Sequence, residues 1–130
     1  MKIKRLFTRK GKRPYADMKF EKRTSEVKNV DGSKNSSMEV KVPSTWSQVA
    51  TDIIAQKYFR KTGVPQLDEK GKVILDEGGN PVLGSETDSR QVFERLSGCW
   101  RSWGEKYNYF DTKEEAALAA ENGIDFIELE

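Results

Sequence analysis

Trp46-Ser-Gln-Val-Ala-Thr-Asp-Ile-Ile-Ala-Gln-Lys-Tyr-Phe-Arg-Lys61 is the stretch whose reading decides the fold. Trp46, Val49, Ala50, Ile53, Ile54, Lys57 and Tyr58 recur at steps of three and four. That period predicts a helix with one apolar face. Thr45, followed three residues later by Gln48, resembles a capping box at its start. Lys61 in the last turn, with Gly63 and Pro65 beyond it, supplies the stop signals.

A second aromatic segment, Gly84 to Gly104, predicts another helix, and the two segments together hold all three tryptophans. Ser85 is its expected N-cap, with Glu86 and Asp88 near the positive helix end. Val92, Phe93, Leu96, Cys99, Trp100 and Trp103 form its apolar face, and Gly104 is its natural terminator. Gly98, inside this helix, costs roughly 1 kcal/mol against alanine and is where another backbone could approach closely. Thr112 with Glu115 offers a third capping box, opening a helix from Lys113 to Glu121 that Asn122-Gly123 closes. Ile124 to Leu129 is read as a short strand or a frayed end.

Outward from these helices the signals are for strands and turns. Asp17 to Lys22 alternates polar and apolar residues, as do Met38 to Val42. The two can pair as a hairpin with a long connection through Val27, Val30, the Asp31-Gly32 turn and a polar loop from Ser33 to Ser37. Pro43 ends the second strand. Gln66 to Leu83 reads as a turn-rich acidic insert, with a small exposed hairpin around Gly78-Gly79-Asn80-Pro81. No internal repeat is read. The expected organisation is a basic, mobile arm over 1–13, a domain over 14–123 and a tail over 124–130. The fold class is α+β: a small, mainly helical domain with two or three amphipathic helices and short peripheral strands or hairpins.

With 130 residues the chain fits one small domain. It is 35% hydrophobic and 34% charged, against averages of roughly 45–50% and about 25%, so its core is modest. The net charge of +2 hides an asymmetry. Lys2, Lys4, Arg5, Arg9, Lys10, Lys12 and Arg13 crowd the first 13 residues without an acid, whereas acids dominate the C-terminal end. These seven are candidate phosphate-binding residues, since cations neutralise a polyanion without needing a fold. No apolar run approaches the ~18–20 residues of a membrane span, and the basic start lacks a signal peptide's apolar stretch. A cytoplasmic protein without a membrane anchor is expected.

The absence of histidine excludes imidazole acid–base chemistry, a histidine-based triad and a histidine-ligated zinc site. A single cysteine, Cys99, excludes an internal disulfide, a Cys-x-x-Cys redox pair and a four-thiolate metal site. Cys99 lies between Leu96 and Trp100 and reads as a small hydrophobe. Glu114 and Glu115 suit a helix first turn better than acid–base work. No phosphate-binding glycine loop is present. Hence no catalytic, cofactor-binding or metal-binding residue is assigned. Trp46, Tyr58, Trp100 and Trp103 are instead candidates for docking on a partner.

Several blocks in order resemble the N-terminal region of class II ribonucleotide reductases, the vitamin B12-dependent enzymes that use adenosylcobalamin. They are Arg5-Leu6-Phe7-Thr8, Pro14-Tyr15, Glu21-Lys22-Arg23, Val42-Pro43, Trp46 to Asp52, Gln56 to Lys61 and Gly63-Val64-Pro65. Gly84 to Gln91, Cys99-Trp100, Trp103-Gly104 and Tyr109-Phe110-Asp111-Thr112 continue the likeness, which covers roughly residues 5 to 116. The resemblance implies a role in reducing ribonucleotides to 2′-deoxyribonucleotides for DNA synthesis. It places the radical cysteine, the redox cysteine pair and the adenosylcobalamin in a ten-stranded catalytic barrel that follows this region. Cys99 matches none of those cysteines. The chain departs from the family after Thr112, where a helix would lead into the barrel, so a truncated or split piece without activity of its own is expected. The implied partner is the catalytic barrel, and the implied role is structural or regulatory, with contact to a nucleotide as an extension. The alternative is a stand-alone module that binds nucleic acid through the arm or a protein through the tryptophan faces.

Overall fold

The computed structural model describes residues 2, 4, 9–28 and 31–129; for 28, 34, 35 and 122–129 the description is of the backbone. Arg5, Leu6, Phe7, Thr8 and Val30, which the sequence reading invoked, lie outside the described residues. The fold is α+β, as expected. It divides into two compact units, Phe20–Ser89 and a second made of Met1–Lys19 with Arg90–Glu130.

The first unit is built on an antiparallel hairpin of β1 (Phe20–Lys28) and β2 (Lys34–Pro43). Pairing sets Glu21 opposite Val42, Arg23 opposite Val40, Ser25 opposite Met38 and Val27 opposite Ser36. Alternate residues share a face, and this is the inner one, because Val40, Val42 and Ser25 are buried. The expected hairpin is therefore present, but its first strand begins at Phe20 rather than Asp17, and Ser36 and Ser37 belong to β2 rather than to a loop. The inner face of β1 carries Glu21, Arg23 and Ser25, so alternation of apolar side chains could not reveal it.

Arg23 makes that polar face workable. Its Nε donates to Glu21 Oε1 at 2.7 Å and its Nη2 to the Ser44 carbonyl at 3.0 Å. Nη1 donates to the Trp46 carbonyl and to Thr51 Oγ1 at 3.3 Å. The guanidinium thus ties the loop after β2 and the following helix to the hairpin, with its charge paired and its donors used.

That helix, α1 (Gln48–Ile53), is shorter than expected and passes into a π-helical turn over Ile54–Tyr58, closed by Phe59 N donating to the Ile54 carbonyl at 3.0 Å. Its N-cap is Ser47, whose Oγ accepts from Ala50 N at 3.1 Å, and not Thr45. The wider turn rotates the register. Thr51, Ile54, Ala55 and Phe59 are buried, whereas Val49, Ile53 and Tyr58, expected on the apolar face, are exposed.

Beyond β3 (Val64–Pro65), which pairs with β4 (Leu83–Gly84), the insert holds two turns rather than one. Leu67 to Ile74 and Leu75 to Val82 are an internal repeat that the sequence reading overlooked. Asp68 Oδ1 accepts from Lys70 N and Lys72 N at 2.8 and 2.9 Å, and Asp76 Oδ1 from Gly78 N and Asn80 N, both at 2.9 Å. Gly71 and Gly79 take φ of 77° and 78° at the same point of each turn. That left-handed geometry is cheap for glycine. The signal is Leu-Asp-Glu-x-Gly, present at both 67–71 and 75–79.

In the second unit, residues 9–18 form successive turns, with Lys12 N, Ala16 N and Met18 N donating to the carbonyls of Arg9, Arg13 and Tyr15. α2 runs Ser89–Lys106 and α3 runs Lys113–Leu129. Ser85 and Glu86 therefore precede α2 instead of capping it. Gly104 does not end α2. It is buried, and a Cβ placed there would overlap the Phe110 ring. Gly98, expected to admit a close neighbour, has open space around it. The reversal follows Lys106, where Asn108 takes φ of 56° and Tyr109 N donates to the Gly104 carbonyl at 2.8 Å. The Thr112–Glu115 capping box is present as expected: Glu115 N donates to Thr112 Oγ1, and Thr112 N to Glu115 Oε2, each at 3.2 Å. Asn122-Gly123 does not close α3, and Ile124 to Leu129 is helical rather than strand. A glycine costs a helix about 1 kcal/mol but does not break it.

Candidate functional site

The most distinctive surface of the second unit lies on α2. Trp100, Trp103 and Tyr107 follow one another at steps of three and four, so they share one helix face. Tyr107 N donates to the Trp103 carbonyl at 3.0 Å and so continues the helical path. Trp100 is 47% exposed, Trp103 57% and Tyr107 62%. Lys106 Nζ sits 5.3 Å from the Tyr107 ring centroid, in cation–π range. Sequence reasoning placed Trp100 and Trp103 on an apolar face with Val92 and Phe93. The structure separates them: Val92, Phe93 and Ser97 are buried, and the two indoles stand in solvent. Cys99 is half-buried and in no disulfide.

Trp46 and Tyr58 belong to the first unit. Trp46 is half-buried, and its carbonyl is held by Arg23; Tyr58 is exposed at the end of the π-helical turn. Exposed aliphatic side chains are abundant there as well, with Val49 and Ile53 on α1 and Leu67, Ile74, Leu75 and Leu83 in the insert. Indoles and isolated aliphatic chains in water are a cost that a covering surface removes at roughly 25 cal/mol per Å².

Of the seven basic candidates, Lys2, Lys4, Arg9, Lys10, Lys12 and Arg13 are exposed, and Arg5 lies outside the described residues. Lys12 Nζ pairs with Asp17, so part of the arm's charge is neutralised at close range. A cleft of about 530 Å³ lies where α2 turns into α3, lined by Arg101, Glu105, Asn108, Phe110, Asp111 and their neighbours. Arg101 Nε there donates to Glu105 Oε1 at 3.0 Å. That mixture of opposed charges around one aromatic ring does not fit the broad apolar face of a corrin. Among the described residues no three Cys, Asp or Glu side chains gather as a metal site, and no helix is long and apolar enough to cross a membrane.

Sequence reasoning missed two residues that organise the first unit. One is Arg23. The other is Glu86, 3% exposed, whose Oε2 accepts from Arg60 N at 2.9 Å while its own N donates to the Arg60 carbonyl at 2.8 Å. Glu86 was read as a helix-dipole acid, and its distance from any period of apolar residues left no other signal.

Comparison with known proteins places this chain in a family. The family model described as class II vitamin B12-dependent ribonucleotide reductase, for its N-terminal part, matches residues 21–124. A vitamin B12-dependent ribonucleotide reductase of Agrobacterium fabrum is 46% identical over 134 aligned residues, covering 90% of this chain and 10% of the relative. One from Bradyrhizobium diazoefficiens is 41% identical, covering 89% of this chain and 11% of the relative. One from Streptomyces clavuligerus is 31% identical, with 91% and 11% covered. The chain thus spans about a tenth of the length of these relatives. These matches support the reductase reading of the sequence and lend nothing to the stand-alone binding module.

Proposed function

Because the chain belongs to the class II vitamin B12-dependent ribonucleotide reductase family, as its N-terminal domain, we propose that it docks on the catalytic portion of such an enzyme. The observation that carries this is the solvent-exposed stripe Trp100–Trp103–Tyr107 in a chain matching one end of a much longer relative. Trp46 and Tyr58 contribute a second contact. Ribonucleotide reduction, the thiyl radical and the adenosylcobalamin belong to the catalytic portion. Neither Cys99 nor the cleft beside α3 supplies that chemistry. The domain's own contribution is structural: it covers apolar surface on the catalytic portion and steadies it. A cytoplasmic site, where deoxyribonucleotides are supplied to DNA synthesis, follows from the same reading. Contact of the basic arm with a nucleotide phosphate is a weaker extension, motivated by Lys2, Lys4, Arg9, Lys10 and Arg13 alone.

The test is complementation in trans. The Agrobacterium relative, shortened by its matching first tenth, is mixed with this chain, and binding is measured by calorimetry alongside adenosylcobalamin-dependent reductase activity. Binding that is lost on replacing both Trp100 and Trp103 by alanine supports the proposal. Failure of the wild-type chain to bind, with both partners folded, overturns it.

A further inference from the structure

The inner face of the β1–β2 hairpin changes character along its length. Near Pro43 it is filled by buried Val40 and Val42 on β2 and by the paired Glu21 and Arg23 opposite them on β1. Toward the turn it opens into a cavity of about 140 Å³, lined by Ser25, Val27, Ser36, Met38, Gln56 and Lys61. Ser25 pairs with Met38 and Val27 with Ser36, so these four side chains project to the same side of the sheet. Gln56 comes from the π-helical turn and Lys61 from just beyond it. π-Helical turns are rare and recur at functional sites.

Four features make this cavity more than a packing defect. Ser25 is 3% exposed, yet its Oγ has no hydrogen-bond partner. A buried unsatisfied hydroxyl costs about 1–3 kcal/mol, and a ligand that met it would recover that cost. Lys61 Nζ donates to the Ala55 carbonyl, which leaves two of its three N–H bonds free, and among the described residues no carboxylate pairs with it. No acid lines the cavity. Its volume is several times the ~30 Å³ share of one water molecule.

We propose that this cavity binds a phosphoryl group, with Lys61 supplying charge and Ser25, Ser36 and Gln56 supplying hydrogen bonds to its oxygens. Ser25 and Ser36 reach the space from the hairpin, Gln56 from the π-helical turn and Lys61 from just beyond it, so one cation and three hydrogen-bonding side chains line a site without an acid, which suits an oxyanion with several acceptor oxygens. The site does not depend on docking to a catalytic portion. It is carried by the first unit alone and lies apart in sequence from the basic arm.

Isothermal titration calorimetry of the whole 130-residue chain with inorganic phosphate, at constant ionic strength, tests this. A saturable one-site isotherm is expected, with acetate failing to compete. Ser25→Ala and Lys61→Gln should each weaken binding about tenfold or more, as loss of a hydrogen bond to a charged group does. Ser25→Ala removes a hydroxyl that has no partner, so the ligand-free variant should melt no lower than the wild type. A parallel titration with a nucleoside monophosphate separates the sources: equal affinity identifies free phosphate, and tighter binding identifies a phosphate ester reaching in from outside. Absence of saturable binding by either compound overturns the proposal. So does binding unchanged in both variants, which would move it to the basic arm. Because no catalytic portion is present, failure here leaves the docking reading intact, and the converse also holds.

Discussion

Arg60 and Glu86 are joined by two hydrogen bonds, and neither involves the guanidinium: Arg60 N donates to Glu86 Oε2 at 2.9 Å, and Glu86 N to the Arg60 carbonyl at 2.8 Å. The acid therefore serves the backbone where the chain leaves the π-helical turn. Glu86→Ala strands a backbone N–H and should cost about 1–3 kcal/mol in urea denaturation. Arg60→Ala keeps both bonds and should fall within about 0.5 kcal/mol of wild type. A large loss from Arg60→Ala with little from Glu86→Ala would reverse the assignment.

Arg23 should not tolerate lysine. Its planar fork reaches Glu21, Thr51 and the carbonyls of Ser44 and Trp46 together, and an ammonium offers three donors from one point. Arg23→Lys is expected to lose about 1–3 kcal/mol of stability. It should also speed amide exchange at Ala50 and Thr51, the first turn of α1. Unchanged exchange there would show that α1 is held by other contacts.

The two glycines of α2 should respond to alanine with opposite signs. Gly98 has open space around its missing Cβ, so Gly98→Ala should gain about 0.5–1 kcal/mol from helix propensity. At Gly104 the same change drives a methyl into the Phe110 ring. The expected result is a loss of about 1–3 kcal/mol, partly restored by Phe110→Leu. Thermal melts of the three variants decide it.

Signals local to a few residues were the ones legible in the sequence. The Thr112–Glu115 capping box, the stop at Pro43 and the turn at Gly78-Gly79 each depend on neighbours within four or five positions, and each is present. What the sequence hid depends on distant partners. The inner face of β1 is polar because Arg23 finds its acceptors about twenty residues away. The apolar face of the helix after Trp46 is rotated because a π-helical turn interrupts it, and no residue type announces such a turn. Gly104 looked like a terminator because its close neighbour, Phe110, lies across a reversal made by Asn108. The indoles of Trp100 and Trp103 follow helical spacing like core residues, and only their exposure marks them as surface.

Two surface groups give the chain a pH dependence of known sign. Ser33 donates to Asp31 Oδ1 through Oγ at 2.6 Å and through its backbone N at 2.9 Å. These bonds, the side-chain one foremost, hold the Asp31 carboxyl below its ordinary value of 3.8. A depressed folded value means that the stabilisation is present above the unfolded value and is lost as pH falls through the folded one. Lys22 is the opposite case. Its Nζ lies 2.9 Å from Glu39 Oε1, and that hydrogen bond, with the charge of Glu39, raises the ammonium above 10.5. Its contribution is complete below the unfolded value and is lost as pH rises through the raised one. Both groups are fully in solvent, where screening keeps such contributions small. Carboxyl carbon shifts followed by NMR should therefore place the Asp31 midpoint below the ordinary value, and Ser33→Ala should move it back up. An Asp31 midpoint indifferent to Ser33→Ala would remove the hydrogen bond as the cause.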